Sequence, residues 1–143
     1  MAEQGFTLTE ALISLMITSL LTSFSLPSLA RFYDEFNLNQ ALSVLQADLN
    51  RVRDFNMVPL QNGLAKAVVI NHDDNTYELV LGTDPIAKRH LPPRVHIEGA
   101  GTTRITFTSS GNISRAGSLV VSSRYQQKRM VFSIGIGGID IRD

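Results

Sequence analysis

Residues 5–30 read GFTLTEALISLMITSLLTSFSLPSLA, and the rest of the chain is best understood from this stretch. Beyond Glu10 no charged side chain occurs until Arg31. The uncharged run, residues 11–30, is about 20 residues or about 30 Å of α-helix, the thickness of a bilayer's hydrocarbon core. It is only moderately apolar, because Ser14, Thr18, Ser19, Thr22, Ser23, Ser25 and Ser28 interrupt it. Helical hydroxyls can bond back to carbonyls one turn earlier, which makes such a segment tolerable in lipid and also suited to packing among other helices. A secretory signal peptide would need a basic start, a shorter apolar run and a small-x-small site after it. Here no Lys or Arg precedes Arg31. A buried soluble helix fits poorly too, since so long an uncharged run is hard to cover in a chain of 143 residues. The sequence therefore predicts one membrane-spanning helix.

Downstream, residues 31–57 turn polar but keep a helical period. Leu38, Leu42, Leu45, Leu49 and Val52 alternate steps of four and three and form one apolar stripe, with Gln40, Gln46, Asp48, Asn50, Arg51, Arg53 and Asp54 filling much of the remainder. Both halves can belong to a single helix from Phe6 to Met57, about 52 residues and roughly 78 Å long. Pro27 lies inside it and is expected to kink or loosen the preceding turn. VPLQNG at 58–63 ends the helix. From Leu64 onward short alternating segments take over. Residues 65–70 and 77–81 flank HDDNT and read as a hairpin; 94–98, 104–108, 119–122, 130–134 and 139–142 are further strands, punctuated by glycines. The expected class is α+β: a long N-terminal helix, transmembrane then amphipathic, packed on a small antiparallel β-sheet. The expected segments are 1–5 as leader, 6–30 as the membrane and assembly half of the helix, 31–57 as its amphipathic half, and 64–143 as the sheet domain, with 31–143 the globular unit.

Composition narrows the function. Thirteen basic and thirteen acidic side chains give a net charge of +0, so no general pull toward nucleic acid or anionic lipid exists and any such binding is local. With no Cys the chain has no disulfide and no thiolate chemistry. His72, His90 and His96 lack metal-ligand spacing, and Asp73-Asp74 sits in a turn composition. No nucleophile elbow or phosphate loop is present, and GIGG at 135–138 precedes a strand instead of a helix. The expectation is a protein that is no enzyme and carries no metal or cofactor.

The chemistry lies in Gly5-Phe6-Thr7-Leu8-Thr9-Glu10. Glycine at a scissile bond lets the backbone lie in a peptidase cleft without a side-chain clash. Glu10 is an isolated carboxylate at the edge of an apolar segment, costly unless protonated or paired. Taken alone it would be read as an acid favoured by the helix dipole. The whole constellation, including the long run and Pro27, resembles the type III signal of type IV prepilins and of the pseudopilins of type II secretion and competence systems. The resemblance implies that a prepilin peptidase cuts after Gly5 and N-methylates Phe6, the first mature residue, so that Glu10 becomes the fifth. The freed ammonium of Phe6 can then neutralise Glu10 in its own subunit or in a neighbour and set axial register. The leader MAEQG departs from the family in carrying Glu3 and no Lys or Arg, where family leaders are usually basic.

The C-terminal stretch ITFTSSGNISRAGSLVVSS followed by KRMVFSIGIGGIDIRD resembles the ending of the ComGD family of minor pseudopilins in Gram-positive competence systems, and of the related GspH family of type II secretion. This implies a subunit of a competence pseudopilus for DNA uptake, or alternatively of a secretion pseudopilus, or a minor pilin that binds DNA or another ligand. The implied partners are other pseudopilins, the prepilin peptidase, an assembly platform and its ATPase, and the membrane, spanned once before assembly. The implied destination is a filament at the cell surface, with the C-terminal domain outside the cytoplasm. Two basic clusters, Lys88-Arg89-His90 with Arg94, and Arg124 with Lys128-Arg129, fall in or beside expected loops. Arg124, Lys128 and Arg129 are candidate phosphate contacts, and Tyr125 a candidate base-stacking residue. Solvated loop charge explains the same residues, and a net charge of zero favours that account.

Overall fold

The computed structural model describes residues 7–58, 64–135 and 138–142. The leader with its Gly5, then Phe6, 59–63 in the helix-ending segment, 136–137 of GIGG and Asp143 lie outside the described residues. The chain divides into two compact units, Met1–Tyr33 and Asp34–Asp143.

One helix, α1 (Leu8–Met57), runs through both and continues through Pro27. In the first unit the described large apolar side chains Leu8, Leu12, Ile13, Leu15, Met16, Ile17, Leu20, Leu21 and Leu29 are exposed. They surround the helix and are not gathered on one face, as expected of a segment whose solvent is lipid or other helices. α1 is long and apolar enough to cross a membrane. The hydroxyls behave as anticipated: Ser14 donates to the carbonyl of Glu10 at 2.8 Å, Thr18 to Ser14 at 2.7 Å and Thr22 to Thr18 at 2.7 Å.

The second unit is α+β. Its strands are β1 (Lys66–Asn71), β2 (Thr76–Leu81), β3 (Asp84–His90), β4 (His96–Ile97), β5 (Thr102–Thr106), β6 (Gly117–Ser122), β7 (Gln127–Phe132) and β8 (Ile139–Arg142). They divide into two four-stranded antiparallel sheets, β3-β2-β1-β5 and β4-β6-β7-β8, where the sequence suggests one small sheet. The stripe Leu38, Leu42, Leu45, Leu49 and Val52 is buried and forms one core with Val68, Ile70, Ile105, Val121, Met130 and Phe132 from both sheets.

Several expectations are corrected. Lys88, Arg89 and His90 belong to β3 and not to a loop. β3 is an edge strand exposed along its whole length, with Pro85 and charged residues of the kind that keep an edge from pairing further. Such a strand has no buried face and so leaves no alternation to read. The segment 94–98 shortens to β4, because Arg94 adopts φ 71°. The 104–108 segment shifts to β5, and Phe107 instead forms an isolated bridge with Ile113.

His72, in the β1–β2 turn, joins the two sheets. Its Nδ1 lies 3.3 Å from the carbonyl of Ile97 and its Nε2 2.8 Å from the Thr103 hydroxyl. Gly99 has φ 149°, and a Cβ there would lie 2.7 Å from the His72 ring, so glycine is required on both counts.

Candidate functional site

At the N-terminal end, Thr7 stands just before α1 and serves as its cap. The backbone N–H of Glu10 donates to Thr7 Oγ1 at 3.3 Å and to the Thr7 carbonyl at 3.1 Å. Thr7-Leu8-Thr9-Glu10 thus has the spacing of a capping box, with Glu10 at the third helical position. Sequence reasoning assigned no role to Thr7, although a Thr three residues before an acid, ahead of an apolar run, is itself the signal. Glu10 is exposed in the first turn, where the helix dipole favours negative charge. Among the described residues no group pairs with its carboxylate. The cap fixes where the helix begins and so where Glu10 stands on its first turn; Gly5 and Phe6 lie outside the described residues.

In the second unit the polar face of α1 holds a surprise. Asp48, one of the polar residues outside the apolar stripe, is 1% exposed. Its carboxylate receives the Tyr77 hydroxyl at 2.9 Å and Arg89 Nε at 2.6 Å, with Arg51 at 3.6 Å. One buried carboxylate therefore ties the helix to β2 and β3. Tyr77 is held protonated well above the ordinary phenol range, first by burial, then by its hydrogen bond to Asp48 and that residue's negative charge, with Arg89 opposing. Folding thus favours the protonated phenol. Its contribution is complete below about pH 10 and is lost progressively as pH rises above that value. Tyr77→Phe should destabilise the protein by about 1–3 kcal/mol near neutrality, because Asp48 loses a donor, yet flatten the decline above about pH 10. Thermal midpoints of the full chain in detergent between pH 8 and 11 check this; parallel curves for both proteins would refute it.

Two further polar residues fasten the helix. Asp34 accepts the backbone N–H of Tyr125 at 3.2 Å, and Asn56 accepts from the Lys66 N–H at 2.8 Å while donating to the carbonyls of Lys66 at 2.9 Å and Phe107 at 3.2 Å.

The basic residues do not converge. Of the first cluster, Lys88 pairs with Glu78 at 3.4 Å and Arg89 is taken by Asp48. These side chains, with Gln40, Val44 and Leu91, border an open cavity of about 400 Å³. Of the second, Arg124 lies in the β6–β7 turn against the Tyr125 ring at 5.4 Å. Lys128 and Arg129 are consecutive on β7, so they point to opposite faces of the sheet. Lys128 lies beside Glu35 and Gln126, whereas Arg129 lies beside Gln127, Val131 and Arg142.

Comparison with protein families finds the prokaryotic N-terminal methylation motif over residues 1–26. No curated protein and no solved structure matches the chain. The motif covers the Gly5-Phe6 bond, Glu10 and most of the uncharged run. Assembly with other pilins and handling by a processing machinery are what such a motif implies in general. One long apolar helix leading into antiparallel sheets, with the methylation motif at its head, is consistent with an α+β fold of the type IV pilin-like kind.

Proposed function

We propose that the protein is a minor pseudopilin of the ComGD kind, a structural subunit of a competence pseudopilus that serves DNA uptake. The prepilin peptidase cuts after Gly5 and methylates Phe6; the mature chain waits as a single-pass membrane protein and then enters a filament, with residues 34–143 outside the cytoplasm. It is a substrate of an enzyme and not itself one. The observation that carries this reading is the methylation motif reaching into an uncharged run, residues 11–30, at whose head Glu10 is unpaired among the described residues. The ComGD assignment draws on the ending, in which β6, β7 and β8 form successive antiparallel pairs and glycines occupy the last turn.

Gly5→Val should abolish processing, because a β-branched side chain restricts the backbone that the peptidase must bind extended. Intact-mass measurement of the wild-type chain should show an N-methylated Phe6 terminus, and the variant should keep its leader. An unprocessed Met1 in assembled wild-type material would overturn the scheme. Deleting the gene and measuring transformation alongside protein export separates competence from secretion; undiminished DNA uptake would sink the competence assignment.

A further inference from the structure

The outer face of the sheet β4-β6-β7-β8 carries a pair of like charges that is only half compensated among the described residues. Arg129 on β7 and Arg142 on β8 are directly opposite in the register. Opposed residues on antiparallel strands have Cα atoms roughly 4.5–5.5 Å apart, and like charges placed so are destabilising. Asp140 holds Arg142 Nε at 2.9 Å, whereas Arg129 has no ion pair or hydrogen bond among the described residues. Among the described residues the other acid in that row is Glu98, whose backbone N–H bonds the Val120 carbonyl at 2.8 Å. Val120 is itself opposite Arg129, so Glu98 stands two strands away, roughly 10 Å at the usual strand spacing. Among the described residues, one adjacent carboxylate therefore serves two guanidinium groups.

The two arginines also line a single concavity of about 430 Å³ with Gln127 and Val131. Gln127 adds an amide donor beside the two forks. We propose that this face is a phosphate-binding site, in which one phosphoryl group bridges Arg129 and Arg142 and accepts from Gln127. A carboxylate offers two oxygens and matches a single fork; a tetrahedral phosphoryl group offers enough acceptors for two guanidinium groups and an amide together. Binding relieves the repulsion built into the register. The site is read from the sheet alone and stands whether or not the pseudopilin reading does. It replaces the trio Arg124, Lys128 and Arg129 suggested by sequence with a pair that the strands bring together.

The test uses the full chain in detergent and three probes: inorganic phosphate, a short oligothymidylate, and glutarate as a dicarboxylate control. Phosphate should raise the thermal midpoint of the wild type, and Arg129→Gln and Arg142→Gln should each weaken phosphate binding roughly tenfold or more, the loss of a hydrogen bond to a charged group. Without phosphate, Arg129→Gln should melt no lower than wild type, because it removes repulsion. Lys88→Gln, whose lysine is paired with Glu78, should bind as wild type does. Tighter binding of oligothymidylate than of phosphate, with a salt dependence reduced in both arginine variants, identifies a phosphodiester chain as the source. Equal binding of the two probes identifies a free phosphate. Glutarate binding as tightly as phosphate, no binding by any probe, or binding unchanged in both arginine variants overturns the proposal. If Arg129→Gln does not fold, Arg129→Lys retains the charge without the fork and should still lose affinity.

Discussion

Arg89→Ala should lower the unfolding midpoint by roughly 10 °C, the shift expected for about 2–3 kcal/mol in a unit of this size. Removing one partner of a buried ion pair costs about 3–5 kcal/mol, because the remaining charge is stranded in low dielectric. The lower figure applies here. Arg89 is 43% exposed, and Arg51 still stands 3.6 Å from the carboxylate. Asp48, only 2% exposed at its side chain, keeps the Tyr77 hydroxyl as its other partner. A double-mutant cycle makes the cause visible. Asp48→Asn combined with Arg89→Ala should cost less than the two changes summed, since the charge that Arg89 compensated is gone. Additive losses would show that Arg89 stabilises the fold by packing alone.

Glu10→Val should leave cleavage and membrane insertion intact and reduce incorporation into filaments by more than a hundredfold. In the proposed assembly the ammonium of Phe6 needs a carboxylate in an apolar surrounding, and leaving such a charge unpaired costs about 3–5 kcal/mol. Insertion should not suffer, because the substitution removes an ionisable group from the edge of the apolar segment. Immunoblots of sheared surface material and of membranes, together with the mass of the membrane form, distinguish the outcomes. A processed variant present in filaments at wild-type levels would remove Glu10 from assembly. Thr7→Ala offers a comparison, since it weakens the helix cap without touching the carboxylate.

What sequence could disclose follows from how each feature is encoded. The stripe from Leu38 to Val52 and the hairpin around residues 72–75 are local patterns, and both emerge as read. Partition of the strands into two sheets depends on pairings such as β1 with β5, which no local pattern records. β3 escaped because an exposed edge strand has no apolar alternation. The buried anchors were more legible than they first looked. Asp34 lies one step of four before Leu38, and Asn56 one step of four after Val52, so both continue the apolar stripe with polar residues. A polar side chain at a core position is expected to have a partner waiting. The partners themselves, the Tyr125 amide, Lys66 and Phe107, could only come from the fold.

Asp34, Asp48 and Asn56 also have a mechanical meaning. Apolar contact between a helix and a sheet resists separation but only weakly resists sliding, because one leucine can take the place of another a turn away. Directional bonds at three stations, spread over about 33 Å of helix, pin the axial position of α1 within the second unit. A pull along the helix axis would load all three in shear at once, and the helix could not creep by a turn without breaking every one of them.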